Sequence, residues 1–279
     1  MNRTPSIVAP VDFSKASYTA AIYAAQMAKK IKGSVTFVHV VFAQASARAM
    51  ILSPKLEEEL RSIALEEMAA LIKSVRSEIK GKIEIRSKVL GGFPVAHVID
   101  HFVQKEKFDM IVTGTQGATG LKKVFVGTNA AALIESSTVP VLVVPRLATF
   151  RGLKKLVYAT DLENLDSELK LIVQYLKPFA PEIHVVHVMA ENEESDKNVK
   201  KIRNDLATKI KYPKLKVSIV SDDDITGALD NFMIDKRGDV LVMFTHQLGF
   251  WEKILSRSTT RKLVFHSHIP LLTFNKSKI

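Results

Sequence analysis

The stretch DMIVTGTQGATGLKKVFVGTNAAALIESSTVPVLVVP, Asp109–Pro145, reads as strand, glycine loop, helix and strand. Its apolar run Met110–Val112 stops at Gly114, the pattern of a buried strand ending in a tight turn. Gly114 and Gly117 are separated by two residues, and after nine more comes Gly127, followed by Thr128 and the helix-compatible run Asn129–Glu135. Glycines let a backbone approach a ligand closely and adopt positive φ, while Thr128 is expected to cap the next helix, whose free N–H groups favour an anion. Phosphate is the natural guest. Neither a Walker loop, GxxxxGK followed by Ser or Thr, nor a GxGxxG after the first strand is present, so neither a P-loop enzyme nor a dinucleotide dehydrogenase is supported.

Upstream, Ser6–Val11 is a short apolar run ending in Asp12, and Ser14 then caps a helix whose apolar positions Ala20, Ala21, Tyr23, Ala24 and Met27 recur at helical spacing. Asp12 thus falls at the C-terminal end of a strand. Ser34–Phe42 is rich in β-branched and aromatic residues, Pro54–Ile79 is a long amphipathic helix, and Lys82–Val89 alternates as a strand. After the Gly91–Gly92 turn, Phe93–Val103 reads as helix. Alternating strands and helices imply a parallel sheet covered on both faces, with ligands at the strand C-terminal ends. Asp12, the loop after His39 and Val40, and the Gly114 loop all open onto that edge.

Past Pro145 the pattern starts again. Lys154–Leu176 repeats the first strand and helix, with Asp161 where Asp12 stands, and VVHVMA places His187 and Val188 opposite His39 and Val40. From Asp239 the chain aligns without a gap on the stretch from Asp109, with Pro270 opposite Pro140. The sequence is a tandem duplication, with domains expected at 1–148 and 149–279. The second copy has lost the glycines: Phe244 stands opposite Gly114, Gln247 opposite Gly117 and Arg257 opposite Gly127, while Ser258 matches Thr128. Bulky residues there block close backbone approach, so the second half is not expected to bind a nucleotide in the same way.

Composition narrows the class. The 279 residues are 47% hydrophobic and 25% charged, as in globular proteins, and no window offers the roughly 18 uncharged apolar residues of a membrane span. The N-terminus lacks a signal-peptide apolar region and there is no cysteine, so a cytoplasmic location without disulfides or thiol chemistry is expected. The net charge of +11 comes from scattered lysines, not clusters with aromatics, which argues against nucleic acid as partner. The eight histidines form no HxxxH or HExxH pattern, so no protein-only metal site is expected.

These residues resemble the universal stress protein family: PVDFS at Pro10–Ser14, VHV at Val38–Val40, GGFP before the third helix, and G-x2-G-x9-G-T from Gly114 to Thr128. The resemblance covers both halves. It implies two flavodoxin-like, adenine nucleotide alpha hydrolase-like domains in tandem, each a five-stranded parallel sheet with helices on both faces. It also implies ATP as ligand, usually with Mg²⁺. Asp12 would meet the adenosine part, Val40 the adenine, and Gly114 and Gly117 would admit the ribose and phosphates. Gly127, Thr128 and Asn129 would hold the phosphates, with Pro10, Val11, Thr113 and Thr115 completing the site. Family members pair through their last strand, here Val139–Pro145 and Ile269–Phe274, so an internal pseudo-dimer of the two domains is expected. Association of two chains stays open.

Functionally, the expectation is an ATP-binding stress or signalling module with one nucleotide per chain. Slow ATP hydrolysis or self-phosphorylation near Thr128 and Ser14, and a nucleotide-independent scaffold, are the alternatives. Lys122 and Lys123 lie inside the glycine loop, His39 reads as a satisfied core histidine, and Phe250 and Trp251 of the second half are expected to plug the vacated pocket or pack ordinarily, with contact to a partner as the alternative.

Overall fold

The structure, a computed structural model, describes residues 4–42, 54–115, 127–189, 210–245 and 268–275. The chain divides into two compact units, one running to Thr149 and the other starting at Phe150.

The first unit runs β1 (Ser6–Pro10), α1 (Lys15–Lys30), β2 (Ser34–Val41), α2 (Pro54–Glu78), β3 (Glu84–Gly91), α3 (Val95–Glu106), β4 (Met110–Gly114), α4 (Thr128–Ser136) and β5 (Val141–Val144). Its strands are parallel in the order β3-β2-β1-β4-β5. Right-handed crossovers on this order put α1 and α2 on one face and α3 and α4 on the other, and each pair of helices is in contact. This is the expected doubly wound α/β fold. Strand direction reverses its progress across the sheet between β1 and β4, the switch point where such sheets bind ligands.

Local chemistry explains the elements. The central strands are near-continuous Val and Ile runs because helices cover both faces, and β1, β2, β4 and β5 are largely buried. The edge strand β3 carries exposed Glu84, Arg86 and Lys88, charges that discourage pairing with another chain. Helix α1 buries an alanine stripe, Ala16, Ala20, Ala21, Ala24 and Ala28, and lies against β4. Small side chains there allow a close helix–sheet approach. Helix α3 begins at Val95, two residues later than expected, because Pro94 takes the N-cap position in an extended conformation.

The second unit repeats the order with β6 (Lys155–Ala159), α5 (Leu165–Leu176), a 3-10 turn at Lys177–Phe179, β7 (Glu182–Met189), β8 (Leu215–Ser221), α6 (Ile225–Lys236), β9 (Val240–Phe244) and β10 (Leu271–Phe274). The strand order is β8-β7-β6-β9-β10, again parallel. Repetition extends to single hydrogen bonds. Asp109 Oδ2 accepts from the Ser6 N–H at 2.7 Å, and Asp239 Oδ2 from the Lys155 N–H at 2.9 Å, each fastening the start of one strand to its neighbour.

The cores differ. Beneath α5 the second unit packs aromatic rings: Phe244 stacks on Phe274 at 5.1 Å and meets Tyr158 edge-on at 5.9 Å, and Tyr175 meets Phe274 edge-on at 5.7 Å. The aligned positions of the first unit hold Ala9, Gly114 and Val144. Tyr158, fully buried, donates its hydroxyl to the buried carboxyl group of Glu168. Burial and then the Glu168 charge push the Tyr158 phenol well above its ordinary 10.0. A raised folded-state pKa stabilises below the unfolded value and is lost above it. Stability is therefore expected to fall by about 1.4 kcal/mol per pH unit above pH 10 from this group. Urea unfolding from pH 9 to 11 checks it, with Tyr158→Phe removing that part of the slope.

Candidate functional site

The site is built at the carboxyl edge of the first unit, where the loops after β1 and β4 diverge. After Pro10 the chain leaves the sheet under tight control. The Val11 N–H donates to Val38 O at 2.8 Å, and His39 Nδ1 lies 2.8 Å from the Val11 carbonyl oxygen. A carbonyl only accepts, so Nδ1 carries the hydrogen. Phe13 takes a left-handed φ of 62° and lays its ring on His39 with centroids 4.6 Å apart. Asp12 Oδ1 accepts from the Ser14 N–H at 3.1 Å, a short turn that sets up the helix. Ser14 is the N-cap of α1 as expected, its Oγ accepting from the Ser17 N–H at 3.2 Å. The Ser17 hydroxyl donates to Ser14 O at 3.0 Å and accepts from the Asp12 N–H at 3.3 Å. The start of α1 thus carries a side-chain cap from its own serines. Phe13 and Ser17 went unrecognised in the sequence; the S-x-x-S spacing at Ser14 was the available signal.

The other side is different. Thr113 and Thr115 are buried at the end of β4, the Thr115 N–H donates to Val144 O at 3.2 Å, and the Gly127 N–H donates to Thr115 O at 2.5 Å. The glycine loop therefore leaves and re-enters at one place. Its interior, 116–126 with Gly117, Lys122 and Lys123, lies outside the described residues. Gly127, and not Thr128, is the N-cap of α4, in an extended conformation at φ −64° that needs no glycine, and no side chain caps the helix. Thr128 is the first helical residue. The sequence signal was ambiguous because a hydroxyl residue and a glycine are both accepted at an N-cap. Thr128 and Asn129 are exposed, and no acidic residue stands in the first turn.

Gly114 has a packing duty. A Cβ there would lie 2.9 Å from both the carbonyl carbon and oxygen of Ala16 and 3.2 Å from the Ser17 nitrogen. The first turn of α1 therefore rests on this glycine. Val40 is buried in β2, level with Leu90 of β3.

In the second unit the β6 turn is copied. His187 Nδ1 lies 2.8 Å from Thr160 O, Leu162 has φ 72°, and Asp161 Oδ1 accepts from the Glu163 N–H at 3.0 Å. Asp161 does what Asp12 does. The rest departs: Phe244 fills the Gly114 position, and Asp222, Asp223 and Asp224 follow β8 where Gly92, Phe93 and Pro94 follow β3. The alignment is fixed by like bonds, Gly92 N–H to Val41 O at 3.2 Å and Asp222 N–H to Met189 O at 2.9 Å. Gln247, Phe250, Trp251, Arg257 and Ser258 lie outside the described residues. Among the described residues no group of three His, Cys, Asp or Glu is placed to hold a metal, and no helix is long and apolar enough to cross a membrane.

Doubly wound parallel sheets, with a glycine-flanked helix start beside the switch point, define the class of α/β proteins to which the chain belongs. Residues 4–145 match the model of the universal stress protein family. The chain is a member of that family. It is 31% identical over 151 residues to universal stress protein MJ0531 of Methanocaldococcus jannaschii, spanning 52% of this chain and 84% of that protein. A second relative from the same organism, universal stress protein MJ0577, is 27% identical over 93 residues, or 33% of this chain and 57% of that protein. The fold of the whole chain resembles the crystal structure of a universal stress protein from Archaeoglobus fulgidus, with TM-score 0.67 and 19% identity over 97% of this chain and 96% of that one. A universal stress protein structure from Pseudomonas aeruginosa gives TM-score 0.57 and 14% identity over 98% of this chain and 93% of that one.

Proposed function

We propose that the first unit binds ATP at its carboxyl edge, and that the chain acts as a nucleotide-dependent module in a stress response or signalling route. The observation that carries this is the start of α4, where Thr128 and Asn129 are exposed with no side-chain cap and no acidic neighbour in the turn. An open helix start favours negative charge, and phosphate fits its N–H groups. Asp12 faces the ribose in this reading and Val40 the adenine. Pro10, Val11, Thr113, Gly114, Thr115 and Gly117 shape the ground between, and Gly127, Thr128 and Asn129 receive the phosphates. Mg²⁺ comes with the triphosphate and neutralises part of its charge.

Calorimetric titration of the full chain with ATP and Mg²⁺ is expected to give one site per chain. Absence of heat at millimolar ATP sinks the proposal. Asp12 separates ligand from fold. Asp12→Asn keeps an oxygen for the Ser14 N–H, so unfolding free energy should stay within about 0.5 kcal/mol while ATP affinity falls. Asp12→Ala should lose about 1 kcal/mol as well. Equal ATP affinity in wild type and Asp12→Asn removes Asp12 from the site.

A further inference from the structure

Beyond β2 and β3 the first unit exposes two aromatic rings that neither core uses. Phe42 follows directly on β2 and is 38% exposed; Phe93 follows the Gly91–Gly92 turn and is 74% exposed. Their ring centroids are 5.7 Å apart, tilted by 38°. They meet because the Gly92 N–H donates to Val41 O at 3.2 Å, drawing the exit of β3 onto the exit of β2. Gly92 holds φ +135°, a conformation glycine adopts readily, and its missing Cβ leaves room for Val98, whose Cγ2 would lie 2.8 Å away. Phe42 is two positions past Val40, the spacing that puts side chains on one face of an extended chain.

We propose that Phe42 and Phe93 form an aromatic lip that stacks on the base of the nucleotide and so selects for a purine over a bare polyphosphate. The inference rests on the ATP reading above and adds the recognition of the base to it. Three facts carry it. From β4 across β1 and β2 to β3 are three strand spacings, about 14 Å, the scale of a nucleoside triphosphate laid along the edge from the start of α4. The rings stand at the exits of β2 and β3, just past Val40 at the base end of that path. And the second unit, whose Gly114 position is filled by Phe244, puts Asp223 where Phe93 stands, flanked by Asp222 and Asp224. The aromatic residue goes with the glycine-bearing edge, and an acidic run that offers no ring for a base to stack on goes with the other.

The test compares ATP and inorganic tripolyphosphate, each with Mg²⁺, on the full-length chain. In Phe93→Ser, ATP affinity is expected to fall about tenfold, within the worth of one base–aromatic stack, with tripolyphosphate binding unchanged. Phe42→Ser should act in the same direction, and Phe93→Trp should restore or exceed wild-type affinity. Phe93 is so exposed that the thermal midpoint should not move, and its constancy checks that the fold is intact. ATP affinity in Phe93→Ser within about twofold of wild type, or an equal loss for tripolyphosphate, overturns the lip and leaves the phosphate site standing. Wild-type protein that binds neither ligand overturns both the lip and the ATP reading.

Discussion

Asn129→Asp is expected to weaken ATP binding by more than about tenfold while leaving the chain as stable as wild type or slightly more so. The two effects have one cause with opposite signs. Asn129 is the second residue of α4, exposed at a helix start that no side chain caps. A carboxylate in the first turn interacts favourably with the helix dipole, by about 0.3–1 kcal/mol. The same carboxylate sits where the phosphates are proposed to dock. Two unit charges about 4 Å apart at an effective dielectric of 20 repel by about 4 kcal/mol. Exposure and salt reduce that figure, yet 1.4 kcal/mol is already tenfold. The loss should shrink as ionic strength rises, because screening acts on the repulsion. Calorimetry at low and high salt measures the first effect and thermal unfolding the second. An ATP affinity unchanged by Asn129→Asp would place the phosphates elsewhere.

Much of this edge is legible in the amino-acid order because its signals are local. The strand from Met110, the helix start after Gly127, the Ser14 cap and the turn at Asp12 each depend on residues a few positions apart. The repeat at Asp239 is legible for the same reason, since Asp109 and Asp239 hold equivalent bonds in equivalent strands. What could not be read depends on distant segments. Nothing near Gly114 reveals that the backbone of Ala16 rests on it. Nothing near Phe42 reveals Phe93, because their contact follows from the register of β2 on β3. The Tyr158–Glu168 pair is likewise a product of helix-on-sheet packing, and a glutamate within an amphipathic helix reads as exposed until the strand beneath it supplies a donor.

Asp12 and Asp161 sharpen what a motif residue means. Both carboxylates hold the same backbone turn, in a unit with the glycines and in one without. The aspartate belongs first to the fold. Any contact with a ribose is added to a side chain that the turn already requires, so its presence in a sequence marks the architecture more than the ligand. In the sequence, the residues that distinguish the two copies are instead Gly114, Gly117, Gly127 and Phe93, against Phe244, Gln247, Arg257 and Asp223.

Gly114 and Phe244 occupy one position in two copies of the fold and make opposite demands on it. A methyl group added at Gly114 would stand 2.9 Å from the backbone of Ala16, a group that moves only if the first turn of α1 moves. Gly114→Ala is therefore expected to cost about 1–3 kcal/mol, as overpacked cores do. At Phe244 the ring is fully buried between Tyr158 and Phe274. Phe244→Ala leaves a cavity and is expected to cost about 3–5 kcal/mol. Urea unfolding of the two variants measures both. A stable Gly114→Ala would mean that α1 yields without loss, and its glycine could then be assigned to the ligand alone. With the expected loss, a Gly114 variant that fails to bind ATP reports on α1 and the Asp12 turn it carries, so the phosphate contact is better tested at Asn129, where the fold leaves the side chain free to change.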